Sequence, residues 1–242
     1  MRVGVYGLGR FGKLWAGMLA RKFDVVVYNR TPREVPSGVV MVEEGALAGC
    51  DIVFLCVAIR AIEPVCERLS AVLPSGTVVA DTCSVKLYPM ECMHRALPDD
   101  IPIMGTHPMF GPDSIDDPEH MLPIVLAPGR DGEQAVEQWS HFFGELGLSV
   151  RRMSADEHDR EAARTQGITH MIGRILDAID LPESAIATKG YRRLRELVEQ
   201  TCNDPYELFV DLWRFNPHAP GARRAFEEAV ERVLSGLDTD IG

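Results

Sequence analysis

The chain has 242 residues, of which 46% are hydrophobic and 25% are charged. These values are typical of a globular protein and exclude a disordered, collagen-like or coiled-coil chain. The 25 basic and 36 acidic residues give a net charge of −11. Because so acidic a chain repels phosphate backbones and anionic lipids, we expect neither nucleic acid nor a membrane as the main partner. A small anionic substrate is compatible, since local cations can outweigh the mean field inside a cleft.

Several features of the sequence bear on where the protein resides. No apolar run approaches the roughly 20 residues that a membrane span needs, and the first residues enter a strand pattern without a leader-like segment. The six cysteines form no C-x-x-C pair and no zinc-like pattern with histidine. We therefore expect free thiols, no metal site and a cytoplasmic location.

The first half of the chain alternates between short apolar runs and helical patterns. Val- and Ile-rich runs separated by helices indicate βαβ units and a mainly parallel sheet buried on both faces. We expect an α/β fold with a doubly wound, Rossmann-type domain over residues 1–152. Strands are predicted at residues 3–6, 25–28, 52–57, 77–80, 101–104, 124–127 and 148–151, and helices at 11–20, 62–72 and 133–146.

After residue 152 the strand-like runs disappear. Helices are predicted at residues 154–179, 184–202, 205–215 and 220–237, and the first opens with Ser154 and Glu157 in the spacing of a capping box. A helical half of this size forms a thin core on its own. We therefore expect an all-helical domain over residues 153–242 that also builds a homodimer.

A glycine-rich segment directly follows the first predicted strand and opens the first predicted helix. It reads G-x-G-x-x-G, in which Gly7 allows a tight turn, Gly9 lets the backbone approach a pyrophosphate and Gly12 lets the helix pack closely. In this context the motif predicts a dinucleotide site, and the alternative is a glycine turn without a ligand. The residues assigned to the cofactor are Gly7, Gly9, Arg10, Phe11, Gly12, Asn29, Arg30, Thr31 and Val57.

The end of the second predicted strand indicates which dinucleotide binds. NAD-binding sheets usually have Asp or Glu there, whereas this chain has Asn29, Arg30 and Thr31. No carboxylate at these positions repels a 2′-phosphate. Asn29 and Thr31 can donate hydrogen bonds, and Arg30 can stack on adenine or pair with the phosphate. NADP is therefore favoured over NAD, unless Arg30 merely projects from a solvated turn.

Three polar segments contain candidate catalytic residues. Residues 81–86 read D-T-C-S-V-K, residues 105–112 read G-T-H-P-M-F-G-P, and residues 157–170 contain E-H-D-R and Q-G-I-T-H. The second segment is predicted to be a stiff turn after a strand that ends at Met104. Such a turn would hold His107 in one place, as general acid–base chemistry requires.

These motifs, in this order, resemble the prephenate/arogenate dehydrogenases of tyrosine biosynthesis. The resemblance rests on D-x-x-S-V-K, T-H-P-M-F-G-P, E-H-D-R-x-A-A-x-x-Q-x-x-T-H and T-K-G-Y, and covers nearly the whole chain. The C-terminal half is most similar to the single-domain plant-type arogenate dehydrogenases. The resemblance implies oxidative decarboxylation of arogenate to tyrosine, or of prephenate to 4-hydroxyphenylpyruvate, with hydride transfer to NADP.

The resemblance also implies roles for particular residues. His107 would be the general base for the C4 hydroxyl of the substrate, and Ser84 would bond the same oxygen or orient the imidazole. Capping of the following helix is the alternative for Ser84. Substrate-binding roles are implied for His170, Gln166, Lys189, Arg192, Asp204 and Thr106.

Asp204 has a specific implied role. It lies where an acidic residue of plant-type members accompanies use of arogenate, whose ammonium group prephenate lacks. The alternative is a capping role for the helix that is predicted to start at Pro205.

The other histidines are assigned no catalytic role, and two other classes of function stay open as alternatives. We expect His158 to be a surface or interface residue, and we assign no site to His94, His120, His141 or His218. One alternative function is another β-hydroxyacid-type NADP dehydrogenase or an imine reductase, but these use a catalytic lysine and lack T-H-P-M-F-G-P. The other alternative is a redox sensor that binds NADP without catalysis.

Overall fold

The computed structural model describes residues 1–113, 115 and 122–239. His120 lies outside the described residues. The strands of the described chain form one sheet in the order β3-β2-β1-β4-β5-β6-β7-β8. Their bounds are β1 Arg2–Tyr6, β2 Asp24–Tyr28, β3 Val39–Met41, β4 Ile52–Leu55, β5 Val78–Asp81, β6 Ile103–Pro108, β7 Pro123–Pro128 and β8 Ser149–Arg152.

The helices lie between the strands of the first half and make up the second half. Their bounds are α1 Arg10–Leu19, α2 Ile62–Leu69, α3 Leu87–Ala96, α4 Glu133–Glu145, α5 Ala155–Ala162, α6 Ile168–Ala178, α7 Lys189–Cys202, α8 Tyr206–Arg214 and α9 Ala219–Thr239. A π-helical turn, Ala163–Gly167, separates α5 from α6. Among the described residues, no helix is long and apolar enough to cross a membrane.

The sheet is doubly wound and mainly parallel, which confirms the predicted fold class. Every neighbouring pair of strands is parallel except β6 and β7. The strand order reverses at β1, which lies between β2 and β4. Ligands of such sheets bind at the carboxyl ends of the strands near this reversal. The glycine-rich segment and residues 29–31 therefore lie where a dinucleotide is expected.

A cluster of aromatic rings fixes the sheet against helices α1 and α4. Phe54 of β4 lies at its centre, with the ring of Trp15 at 5.5 Å and that of Trp139 at 4.9 Å. Phe143 contacts Trp139 at 5.1 Å. Edge-on and tilted contacts of this kind add to the stabilisation from buried apolar area. The cluster holds α1, and with it the glycine loop, in a fixed position on β1.

Two predicted boundaries differ from the structure. The short strand β3 was not predicted, because only three residues pair with β2. Residues 184–188 were predicted as helix, but α7 begins at Lys189. Thr188 caps that helix, with its hydroxyl accepting a hydrogen bond from Tyr191 N at 3.2 Å. This side-chain bond supplies an acceptor for an N–H group that the first helical turn leaves without one.

The chain divides into two compact units, residues 1–158 and 159–242. The division falls inside α5, whereas the sequence placed it before this helix. The predicted capping box at the start of α5 is confirmed. Glu157 N donates to the Ser154 hydroxyl at 3.2 Å, and Ser154 N donates to the Glu157 carboxylate at 2.9 Å. This box fixes where α5 starts.

The second unit is helical, as predicted. Its α6 and α7 form an antiparallel pair that approaches closely at Gly173. A Cβ atom at this position would overlap the Thr201 hydroxyl, which itself donates to Leu197 O at 2.7 Å. The absence of a side chain at Gly173 thus sets the spacing of the two helices.

Candidate active site

The glycine loop has the geometry that its motif predicts. Gly7 has a φ of +101°, and a Cβ atom there would run into the carbonyl oxygen of Cys56. A Cβ atom at Gly12 would overlap the carbonyl oxygen of Gly7, whereas one at Gly9 would meet nothing within 4 Å. Gly7 and Gly12 therefore serve the turn and the packing of α1. The open space at Gly9 fits a phosphate against the first N–H groups of α1.

The side chain of Asn29 ties the turn after β2 to the glycine loop. Its Oδ1 accepts a hydrogen bond from Leu8 N at 2.8 Å, and its Nδ2 donates to Thr31 O at 2.7 Å. The predicted contact of Asn29 with the cofactor stays a prediction. Arg30 is exposed. Among residues 29–31, Arg30 is therefore the cation available to a 2′-phosphate.

Three other residues were assigned to the cofactor: Arg10, Phe11 and Val57. Arg10 donates to both carboxylate oxygens of Asp113, at 2.8 and 2.7 Å, and this ion pair is partly exposed. Exposed pairs contribute little to stability, so a phosphate can compete for this guanidinium. The Phe11 ring stacks on Trp15 at 5.7 Å and packs with the core. Val57 borders the glycine loop, since its Cγ1 would lie 3.1 Å from a Cβ atom at Gly7.

His107 lies in strand β6, which corrects the prediction of a turn after Met104. The strand continues to Pro108 because β7 pairs with it antiparallel, with His107 opposite Val125. The side chain is only 2% exposed. Ladder pairing therefore holds the histidine in place.

His158 is the functional residue that the sequence analysis missed. It was expected at a surface or interface, yet it is 2% exposed and its Nε2 lies 2.7 Å from His107 Nδ1. Both histidines belong to the first unit. The sequence did contain a signal that His158 lies on a buried helix face, because Ala155, His158 and Ala162 have the i, i+3, i+7 spacing of one face.

The loop after β5 is built around a buried ion pair. Lys86 and Asp81 are both fully buried, and the Lys86 ammonium contacts Asp81 Oδ2. The same oxygen accepts a hydrogen bond from Cys83 N at 2.8 Å. Burial raises the pKa of Asp81, and the adjacent Lys86 ammonium opposes that rise. These bonds fix the loop that contains Ser84.

Two residues of this region have contacts that bear on their predicted roles. Helix α3 begins at Leu87, with Lys86 at the capping position and no side-chain capping bond, so Ser84 does not cap it. Thr106 is fully buried, and its hydroxyl donates to Asp81 O at 2.5 Å. Thr106 therefore joins β6 to β5, and its substrate-binding role stays a prediction.

In the helical unit, Gln166 and His170 lie one turn apart across the end of the π-helical turn. Gln166 Oε1 and His170 Nδ1 are buried and lack hydrogen-bond partners among the described residues. Unpaired buried polar atoms are costly and are rare in folded proteins. Their presence here is consistent with a polar ligand. π-helical turns of this kind are frequent at functional sites.

Asp204 lies close enough to His170 to affect its titration. Burial lowers the pKa of His170 below its usual 6.5, the Asp204 carboxylate opposes this shift, and the Arg174 guanidinium adds to it. Arg174 also donates to Asp204 O at 2.6 Å. The capping position of α8 is Pro205, which makes no side-chain capping bond. The alternative capping role of Asp204 stays a prediction.

Lys189 and Arg192 lie in the first turn of α7, at the opposite end of this helix from Asp204. Lys189 is separated from Thr201 by about 18 Å of helix at 1.5 Å per residue. Arg192 donates to Ala187 O at 2.7 Å. Within one chain, the structure therefore does not bring these two cations together with His170. The neighbouring Arg195 pairs with Glu183 at 3.4 Å.

Comparison with known proteins identifies the family. Residues 33–152 match the family "Prephenate dehydrogenase, nucleotide-binding domain", and residues 175–241 match "TYRAAT1-like, C-terminal domain". Arogenate dehydrogenase 2, chloroplastic, of Arabidopsis thaliana is 32% identical over 250 residues, which cover 98% of this chain and 70% of that protein. The chain belongs to the arogenate/prephenate dehydrogenase family.

Two further comparisons agree with this assignment. Arogenate dehydrogenase 1, chloroplastic, of Arabidopsis thaliana is also 32% identical, over 258 residues, and the match covers 98% of this chain but only 39% of that protein. The crystal structure of prephenate dehydrogenase from A. aeolicus, in complex with hydroxyphenyl propionate and NAD+, gives a TM-score of 0.78 at 18% identity. This match covers 99% of this chain and 91% of that chain, and shows a shared fold.

Proposed function

We propose that this chain catalyses the NADP-dependent oxidative decarboxylation of a cyclohexadienyl substrate, with arogenate preferred over prephenate. The observation that carries the proposal is the buried His107, held in β6 and joined through Nδ1 to His158. The same unit contains the glycine loop with its open space at Gly9. A dinucleotide site and a positioned base are the two components that this reaction needs.

His107 acts as the general base in this proposal. When Nδ1 carries the proton and donates it to His158 Nε2, the other ring nitrogen, Nε2, is the basic one. This nitrogen takes the proton of the C4 hydroxyl as the hydride leaves C4. CO2 then departs from C1, its bonding electrons enter the ring, and the imidazolium returns the proton to the phenolic oxygen as the ring becomes aromatic. NADP, when bound, accepts the hydride from C4. Ser84 extends from the rigid loop after β5 and bonds the same hydroxyl oxygen.

The preference for NADP rests on Arg30. The turn after β2 contains no carboxylate among residues 29–31, and Asn29 is engaged in holding the glycine loop. Arg30 is exposed and can pair with a 2′-phosphate through its planar guanidinium. The loop geometry itself suits NAD equally well, so the preference depends on this one side chain.

The preference for arogenate rests on the cluster of Asp204, His170 and Gln166. Arogenate has an ammonium group where prephenate has a keto group. Asp204 offers a carboxylate close to the buried His170, and Gln166 Oε1 is a further buried acceptor that has no partner among the described residues. A charge-assisted hydrogen bond to the ammonium contributes about 1–3 kcal/mol. Prephenate would gain nothing from this carboxylate.

We further propose a homodimer formed through the helical unit. Helix α9 exposes an apolar stripe of four residues at i, i+3, i+4 and i+7, with 42–69% of each accessible: Val230, Val233, Leu234 and Leu237. A stripe at this spacing is typical of a face that packs on another helix. Sedimentation should give a dimer at micromolar concentration, and Leu234→Glu should give a monomer. A stable wild-type monomer would contradict the dimer.

The proposed location is the cytoplasm. All six cysteines are free, and four of them are buried. Free thiols of this kind are expected in a reducing compartment.

The function is tested by measuring turnover of arogenate and of prephenate, each with NADP and with NAD. The proposal predicts the highest kcat/KM for arogenate with NADP. NADP binding without turnover of either substrate would contradict the enzyme and favour a sensor. Faster turnover of prephenate would keep the reaction and overturn the role of Asp204.

A further inference from the structure

A cationic cavity in the helical unit involves none of the residues assigned to cofactor or substrate. Its volume is about 300 Å³. Four cationic or titratable side chains line it together with four small or rigid residues: Arg160, Arg164, His218 and Arg224, and Pro217, Pro220, Gly221 and Ala222. His218 is a residue to which the sequence analysis assigned no site. The convergence of three arginines is notable in a chain with a net charge of −11.

The walls of the cavity are fixed by hydrogen bonds. Asn216 is buried, and its Nδ2 donates to Asp159 O at 2.7 Å, which joins the turn before α9 to α5. Its Oδ1 accepts from His218 N at 2.9 Å. The two elements that contribute Arg160 and His218 are therefore tied together. A preformed site of this kind loses little conformational freedom when a ligand binds.

Two of the arginines lack a counterion among the described residues. Arg223, which does not line the cavity, pairs with Glu227 at 2.7 Å. Its neighbour Arg224 and the cavity residue Arg164 form no ion pair within the part of the chain that the structure describes. Space is available beside Gly221, which lines the same cavity, because a Cβ atom there would meet nothing within 4 Å.

We propose that this cavity binds a small phosphate monoester. A tetrahedral dianion presents enough oxygens for two guanidinium forks and an imidazole, whereas a single carboxylate is satisfied by one fork. The volume lies at the lower end of the range for ligand pockets. It holds a phosphate with a short carbon chain and excludes a dinucleotide. Its lining shares no residue with the cofactor loop, and the proposed site does not depend on the proposed reaction.

The test is a calorimetric titration of the full chain with inorganic phosphate, glycerol 3-phosphate and acetate. The principal variant is Arg164→Gln/Arg224→Gln, and the matched control is Arg223→Gln. Gly221→Glu is a second variant, which places a carboxylate in the cavity without removing an arginine. Arg30→Ala identifies any phosphate that binds at the nucleotide turn instead.

The proposal predicts that both phosphates bind, and that acetate binds at least tenfold more weakly. The double variant and Gly221→Glu should each weaken phosphate binding at least tenfold, while Arg223→Gln and Arg30→Ala should leave it unchanged. Tighter binding of glycerol 3-phosphate would support an ester as the ligand, whereas tighter binding of inorganic phosphate would contradict it. Unchanged affinity in the double variant, equal binding of acetate or no binding of either phosphate would overturn the site.

Discussion

His107 Nδ1 and His158 Nε2 lie 2.7 Å apart, and both side chains are buried. One nitrogen of such a pair must donate and the other must accept. With the proton on His107 Nδ1, His158 fixes the tautomer in which His107 Nε2 is the base. In the proposed reaction, His158 is thus a positioning residue, because it would act on the substrate only through His107.

The first prediction separates this positioning role from simple packing. His158→Leu removes the acceptor at similar volume, leaves Nδ1 of His107 unpaired and should lower kcat by about ten- to a hundredfold. His158→Gln should restore most of the rate, because its amide oxygen can accept near the position of Nε2. His141→Gln, at an exposed position, is the control. Equal losses in the Leu and Gln variants would mean that His158 only fills space.

The second prediction concerns the cofactor. Arg30→Ala should raise the KM for NADP at least tenfold and leave that for NAD nearly unchanged, because NAD lacks the 2′-phosphate that Arg30 pairs with. Steady-state kinetics with both cofactors measure this ratio, and Arg33→Ala on the following loop serves as the control. If the ratio of the two specificity constants stays constant, Arg30 has no part in the preference.

The third prediction concerns substrate choice. Asp204→Asn should shift the ratio of kcat/KM toward prephenate by about tenfold or more, since the carboxylate no longer pairs with the ammonium of arogenate. Inhibition by tyrosine should weaken as well, because tyrosine has the same ammonium group. Glu207→Gln, an exposed residue of α8, is a suitable control. A variant with reduced stability but the same substrate ratio would show that Asp204 is structural.

The fourth prediction follows from the lowered pKa of His170. As the pH falls below 6.5, the unfolded chain binds a proton at this histidine more readily than the folded chain does. The free energy of unfolding therefore decreases with falling pH until the folded-state pKa is reached. His170→Asn should reduce this dependence in urea denaturation between pH 7 and 5. Asp204→Asn should lower the pKa of His170 further by NMR, because the carboxylate opposes the shift.

Much of the architecture could be predicted from the sequence because it depends on local patterns. The Val-rich strands, the glycine loop before α1 and the capping box at Ser154 each specify their own element. The contacts of Asn29 and Thr106 could not be predicted in this way. Their polar groups are satisfied by backbone atoms of neighbouring strands and loops, and such pairings depend on the sheet register.

The active-site region shows the same limit. His107 was identified as a candidate base on motif grounds, but it was expected in a turn, because pairing with the antiparallel β7 is not visible in the local sequence of β6. His158 was missed because its partner lies 51 residues earlier in the chain. Side chains that meet through the tertiary fold leave only a weak signal, here the face shared by Ala155, His158 and Ala162.

The most direct test of the account is the turnover of His107→Asn with arogenate and NADP, measured together with NADP binding. Loss of a positioned general base lowers the rate by about a hundred- to ten-thousandfold. We expect a loss in rate of this size, with unchanged affinity for NADP, because the substitution leaves the glycine loop and Arg30 unchanged. Turnover near the wild-type rate, with the same affinity for NADP, would contradict it.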